Sequence, residues 1–156
     1  MKQENITINV TVYSPNELNT NDALLVKSAF EACKTSYAPY SNFNVGAAVL
    51  LANGEIINGS NQENIAYPSG LCAERTAMFY ANAKYPDVPI IALAVASSVN
   101  GVPNKEAVYP CGSCRQALLE NELKFKNNIR VLMAGAEIVK EVESIKSLLP
   151  LSFDNF

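Results

Sequence analysis

Ile90-Ile-Ala-Leu-Ala-Val-Ala96 is an unbroken apolar run of strand length, and such a strand belongs inside a sheet with both faces covered. The residues on either side supply the cover. Leu71 to about Ala83 is rich in Ala, Glu, Arg and Met, reads as a helix, and stops before Pro86. Val99 to Pro110 carries a glycine and two prolines and is expected to be a loop; Cys111 to about Leu123 then has helical composition, and Ile129 to Met133 returns as a strand. Further out, Val45 to Leu51 is a short apolar strand, Asn53-Gly54 is a strong hairpin turn, and Glu55 to Asn58 begins the return strand. From about Asn21 to Ser36 the apolar spacing is helix-like, with Asn19, Thr20 and Asn21 as capping candidates, and Tyr37-Ala-Pro-Tyr-Ser-Asn42 breaks it.

The two ends complete the order. Ile6, Ile8, Val10 and Val12 alternate with Thr7, Asn9 and Thr11, which predicts a half-buried strand over Ile6 to Val12, as an added sheet edge or a subunit contact. Glu137 to Val142 is expected as a strand and Ser144 to Leu149 as a short final helix before Pro150. The sequence β, α, β, β, α, β, α, β, β, α points to an α/β sheet covered by helices. We expect one domain over residues 1–156, with 1–19 as an N-terminal extension.

Composition narrows the chemistry. The chain has 156 residues, 12 Lys and Arg against 15 Asp and Glu, four Cys and no His. Without an imidazole, Ser-His-Asp and Cys-His nucleophile systems, the HExxH pattern and the two-Cys, two-His zinc finger are all excluded. Catalysis must rest on carboxylate, thiolate, Lys, Tyr or metal. A formal charge of -3 argues against a nucleic-acid partner. The polar start Met1-Lys2-Gln3-Glu4-Asn5 leads into no apolar signal region, and no stretch approaches a membrane span, so a soluble, cytoplasmic protein is expected.

Cys72-Ala-Glu74 opens one expected helix and Pro110-Cys111-Gly-Ser-Cys114 opens another. Three sulfurs and one carboxylate thus fall at two positively polarised helix ends, which favour thiolate over thiol. Three thiolates with one open position are the layout of a catalytic zinc, since structural zinc is usually closed by four protein ligands. Glu74, two residues from a ligand, stands where a proton shuttle belongs. Arg75 and Arg115 are both placed to donate to sulfur and offset the charge of the thiolates.

On these residues the chain resembles the small, homotetrameric, three-cysteine cytidine deaminases. The similarity runs from about Asn21 to Phe153 and includes Tyr37-Ala-Pro-Tyr-Ser-Asn-Phe-Asn-Val-Gly46, Asn61-Gln-Glu-Asn64, Leu71-Cys-Ala-Glu-Arg75, Tyr109-Pro-Cys-Gly-Ser-Cys-Arg-Gln116 and Leu148-Leu-Pro-Leu-Ser-Phe153. It implies a three-layer α/β/α cytidine-deaminase-like fold, a mixed central sheet with helices on both faces. It also implies one Zn2+ per subunit on Cys72, Cys111 and Cys114, with Glu74 moving protons while C4 of cytosine is hydrolysed. Ala73 and the carbonyl before Pro110 would hold the pyrimidine edge, Phe43 would wall the base, Asn61 and Glu63 would bind ribose, and Arg75 would hydrogen-bond the thiolates. Phe153 would reach a neighbouring subunit's site. The implied substrates are free cytidine and 2'-deoxycytidine, in pyrimidine salvage, with no nucleic acid and no membrane as partner.

Other readings of the same residues stand beside this one. A closed four-cysteine zinc site would need Cys33, whose helical, apolar-face spacing marks it instead as packing. A redox Cys-x-x-Cys would leave Cys72 and Glu74 without a role. A deaminase of single-stranded nucleic acid would want a basic, aromatic-interleaved stripe. A deaminase of cytosine nucleoside antibiotics shares Cys-Ala-Glu and Pro-Cys-x-x-Cys-Arg, and Asn61-Gln-Glu-Asn64 with Arg75 favour the cytidine type.

Overall fold

The computed structural model describes residues 1–154; Asn155 and Phe156 lie outside them. Its centre is a seven-stranded sheet of β1 (Thr11–Tyr13), β2 (Phe43–Leu51), β3 (Ile56–Ser60), β4 (Ile90–Val99), β5 (Val102–Pro103), β6 (Arg130–Ala134) and β7 (Val139–Val142), in the order β1-β7-β6-β4-β2-β3, with β5 paired to β4. Only β4 and β6 pair in parallel, so the sheet is mixed. Helix α1 (Thr20–Ala32) covers one face, and α2 (Ala73–Lys84) with α3 (Gly112–Phe125) covers the other. The three-layer arrangement that the resemblance implies is thus present.

Alternation along the strands builds two cores of different depth. Ala47, Val49 and Leu51 of β2, Leu93 and Val95 of β4, and Val131 and Met133 of β6 point with Met78, Leu118 and Leu119 into the α2/α3 layer. The other face presents Ala48, Ala92, Ala94, Ala96 and Ala134, and Leu25, Val26 and Ala29 of α1 rest on it. Small side chains let α1 come close, and at Gly46 it comes so close that an added Cβ would lie 2.0 Å from the Ala29 carbonyl oxygen. Gly59 does the same for α2, where a Cβ would sit 2.4 Å from the Ala77 nitrogen.

Topology then sets the position of the site. Strands β3 and β4 both run antiparallel to the β2 between them, so they end at the same edge of the sheet. The chain leaves each of them toward a helix on the same face, so α2 and α3 begin side by side. Crevices beyond the carboxyl ends of such strands are where open α/β sheets place their ligands.

Several expected elements are shifted. The strand predicted over Ile6 to Val12 is confined to Thr11–Tyr13, and Ile6, Ile8, Val10 and Val12 are all exposed. The pairing Thr11↔Glu141, Val12↔Lys140, Tyr13↔Val139 explains this, because residues before Val10 would need partners beyond Val142, where the four-residue β7 ends. β1 is an added sheet edge, and residues 1–10 run past it. The expected loop from Val99 to Pro110 contains the β4–β5 hairpin, turned at Asn100 and Gly101, both with positive φ. The expected last helix is a single 3-10 turn at Ile145–Leu148, held at its start by the Ser144 hydroxyl accepting from the Lys146 N–H.

Candidate active site

Cys72 is the N-cap of α2 and Cys111 the N-cap of α3, each in extended backbone. Cys114 follows one turn into α3 and is fully buried. Their Sγ atoms converge: Cys72 lies 3.7 Å from Cys111, Cys111 lies 3.5 Å from Cys114, and all three lie within 4.8 Å of one another. A tetrahedral ion with Zn–S bonds of about 2.3 Å needs sulfurs about 3.8 Å apart. The donor set therefore fits zinc in identity and in spacing.

The charges of the cluster agree with that fit. Hydrogen bonding from Cys114, with further help from Arg75 and Cys111, draws the Cys72 thiol down to about 5 against the cost of its burial. The same contact with Cys72, together with burial, holds Cys114 far above the ordinary thiol range. Three sulfurs this close cannot share negative charge without a cation between them, so the charge collects on Cys72. Arg75 Nη2 lies 3.9 Å from Cys72 Sγ, and its Nε is buried with no hydrogen-bond partner among the described residues.

Glu74, in the first turn of α2, is 3 % exposed. Burial lifts its carboxyl to about 7, the negative Cys72 adds to the rise, and hydrogen bonds from its own main chain and from Cys114 oppose it. Ala73 beside it is fully buried. A carboxyl that is both dry and beside a thiolate cluster can take and return a proton near neutrality.

Asn61 and Glu63 share a hollow with Cys72 and Arg75, and both have internal duties that the sequence did not show. Asn61 Oδ1 accepts from the Ser36 hydroxyl at 2.5 Å and the Val45 N–H at 2.8 Å, while Nδ2 donates to the Phe43 carbonyl at 2.9 Å. Glu63 Oε2 accepts from the Tyr40 N–H at 2.9 Å and Ser41 N–H at 3.3 Å, and Oε1 accepts from the Ser41 hydroxyl. The Ser41 hydroxyl, with the Tyr40 N–H, holds the Glu63 carboxyl below the usual carboxylate range. Both side chains thereby anchor the 36–45 segment that carries Phe43.

Phe43 is 38 % exposed at the start of β2 and borders a hollow of about 870 Å³ lined also by Val99, Val102 and Tyr109. A second hollow of about 280 Å³ is lined by Asn61, Glu63, Cys72 and Arg75. Phe153 is 74 % exposed, and its carbonyl accepts from Gln116 Nε2 at 3.0 Å.

Cys33 is the packing residue expected of it, whereas Arg115 departs from expectation. Cys33 packs under α1, its Sγ 3.6 Å from the Ala29 and Ala96 carbonyls, and burial raises its thiol. It is not among the clustered sulfurs, so the four-cysteine site is excluded. Arg115 does not donate to sulfur: Nε reaches the Pro110 carbonyl at 2.8 Å and Nη1 the Leu148 carbonyl at 2.6 Å. A guanidinium one residue beyond Cys114 points along α3 to main-chain oxygens, a role that sequence adjacency does not reveal.

Comparison with known proteins gives one consistent outcome. The family model described as the cytidine and deoxycytidylate deaminase zinc-binding region matches residues 19–127. A cytidine deaminase of Halalkalibacterium halodurans is 42% identical over 97 residues, 62% of this chain and 69% of its own length. One of Sporosarcina psychrophila is 43% identical over 130 residues, covering 83% of this chain and 88% of that protein. The solved cytidine deaminase of Burkholderia pseudomallei superposes with a TM-score of 0.70 at 35% identity, covering 83% and 97% of the two chains.

Proposed function

The chain belongs to the cytidine and deoxycytidylate deaminase family, and from that premise we propose that it hydrolyses free cytidine and 2'-deoxycytidine to uridine and 2'-deoxyuridine with release of ammonia. The observation that carries the reading is the convergence of Cys72, Cys111 and Cys114 at two helix starts with the buried Glu74 carboxyl beside them. The three cysteines would hold one zinc per subunit. When bound, zinc supplies a Lewis acid that makes water nucleophilic at neutral pH.

The protein's own groups supply the rest. Glu74 takes a proton from the attacking water and passes it to the ring nitrogen beside C4; it then takes the proton of the new C4 hydroxyl and gives it to the amine as the C4–N bond breaks, so that one carboxylate acts as base and as acid. Arg75 withdraws charge from Cys72. Phe43 walls the base, and Ala73 with the carbonyl of Tyr109 holds its edge. Asn61 keeps one amide hydrogen beyond its internal bonds, and Glu63 keeps a lone pair on Oε1, so each retains capacity for a ribose hydroxyl. The high exposure of Phe153 supports its place against a neighbouring site in a homotetramer, working in the cytoplasm on salvaged nucleosides.

The test is the loss of ultraviolet absorbance of cytidine and deoxycytidine with zinc-loaded protein, run beside zinc-loaded Glu74→Ala. Turnover should fall by about 10³-fold or more while metal content is kept. Full turnover in the variant would remove Glu74 from the proton path. A zinc-loaded wild type inert on both nucleosides would move the substrate, with antibiotic nucleosides and oligonucleotides next.

A further inference from the structure

The C-terminal segment is fastened to α3 at three points, and one of them also holds the residue that precedes Cys111. At the first, buried Glu122 accepts from the Ile145 N–H at 2.8 Å and the Ser144 hydroxyl at 2.9 Å, and from the Ile129 N–H at 2.7 Å. At the last, Gln116 Nε2 donates to the Phe153 carbonyl. Lys146 Nζ and the Ser152 hydroxyl both meet Asp154 Oδ2, at 2.7 and 3.0 Å, and fold the segment back on itself. Glu122, Gln116 and Asp154 serve the C-terminal segment or the start of β6; none of these bonds leads to a sulfur.

Arg115, at the middle point, differs. Its Nη1 holds the Leu148 carbonyl, and its Nε holds the carbonyl of Pro110, the residue that precedes Cys111. Pro110 has no N–H, so its carbonyl is the only main-chain hydrogen-bonding group it offers. Cys111 is the most exposed of the three clustered cysteines and stands outside the first helical turn as N-cap. Its position therefore depends on how the chain enters α3. The guanidinium is a rigid plane, so its two bonds fix Pro110 and Leu148 relative to one another.

We propose that Arg115 is a positioning residue that keeps Cys111 in ligating place by tying Pro110 to the Ile145–Leu148 turn at Leu148. The proposal rests on the reading of the three cysteines as a metal site. Support of ligands by neighbouring hydrogen bonds commonly changes metal affinity by about 10–100-fold. Lysine, a single point donor, can hold one of the two carbonyls but not both in register.

The experiment compares zinc-loaded wild type, Arg115→Ala, Arg115→Lys and Gln116→Ala. It measures zinc content, the rate of zinc transfer to excess chromophoric chelator, and amide hydrogen exchange over residues 106–112 and 145–153. Arg115→Ala should transfer zinc at least about tenfold faster, with faster exchange in both segments; Arg115→Lys should fall between it and wild type. Gln116→Ala should speed exchange only near Phe153 and transfer zinc at the wild-type rate. Wild-type transfer in both Arg115 variants overturns the proposal, as does equal acceleration in Gln116→Ala or an exchange change confined to one segment. If Arg115→Ala does not fold, Arg115→Lys against Gln116→Ala decides by the same rates. A wild type that takes up no zinc refutes the metal-site reading, whereas a zinc-holding wild type matched by its Arg115 variants refutes only the tie.

Discussion

Replacing Asp22 by Asn should cost the fold about 2–3 kcal/mol at neutral pH without touching the chemistry. Asp22 is 4 % exposed in the first turn of α1, where Asn19 Oδ1 accepts from its N–H at 2.9 Å and Asn19 Nδ2 donates to its Oδ2 at 2.7 Å. Arg130 of β6 grips it with two bonds, 2.6 Å to Oδ1 and 3.1 Å to Oδ2, and Nη1 also reaches Glu141 Oε1 of β7 at 3.0 Å. Removing one partner of a fully buried pair costs about 3–5 kcal/mol. Here the Arg130 side chain is 37% exposed and keeps Glu141, so water and the second carboxylate recover part of that loss. For a chain of this size each kcal/mol moves Tm by about 2–4 °C, giving a fall of about 4–12 °C.

The pH dependence follows from the direction of the shift. The hydrogen bond from Arg130 holds the Asp22 carboxyl below the usual carboxylate range. A lowered acid contributes stability in full above its unfolded value, about 4, and loses it as pH falls through the folded one. The gap between wild type and Asp22→Asn should thus be flat from pH 8 to 5 and close below 4. Thermal unfolding by circular dichroism at one protein concentration, over pH 8 to 3, reads it. A fall under 2 °C at pH 7, or a gap that widens on acidification, would refute the reasoning.

Three further outcomes are expected. Gly46→Ala drives a Cβ against the main chain of α1, which must move by about 1 Å, and soluble yield and Tm should fall by more than for any surface change. Asn61→Ala strips the Val45 N–H and Phe43 carbonyl of their partners; it should lose about 2 kcal/mol in urea unfolding and raise KM more than it lowers kcat, and an unchanged KM would leave Asn61 a purely internal clamp. Cys33→Ala should keep full metal content by elemental analysis and lose about 1 kcal/mol; metal loss would return Cys33 to the site.

The parts of the fold that were readable from sequence were those whose burial is set by one segment alone. Ile90 to Ala96 could only be an interior strand, and the structure extends it to Val99 because Asn100-Gly101 turns it into β5. That turn carries the same dipeptide as Asn53-Gly54, but its two-residue return strand is too short to show alternation. The alternation of Ile6 to Val12 misled for the opposite reason: the pattern was present, and the partner strand ran out. Within the site, Cys72, Glu74, Cys111 and Cys114 are legible because their spacing carries the chemistry. The internal bonds of Asn61 and Glu63, and the turn of Arg115 toward Leu148, depend on which loop lies beside which. Nothing local in the sequence records that.

The parallel exits of β3 and β4 toward α2 and α3 also impose an order on assembly. Cys111 and Cys114 lie within one turn and are near each other in any conformation, but Cys72, 39 residues before Cys111, is brought beside them by the folded sheet, in which β2 pairs with both of its neighbours. An unfolded chain thus offers a metal two sulfurs and a folded one offers three. Metal bound by the third sulfur stabilises the native state in proportion to that difference. Its uptake marks completion of the sheet rather than its beginning, and a chelator should slow refolding little while speeding unfolding.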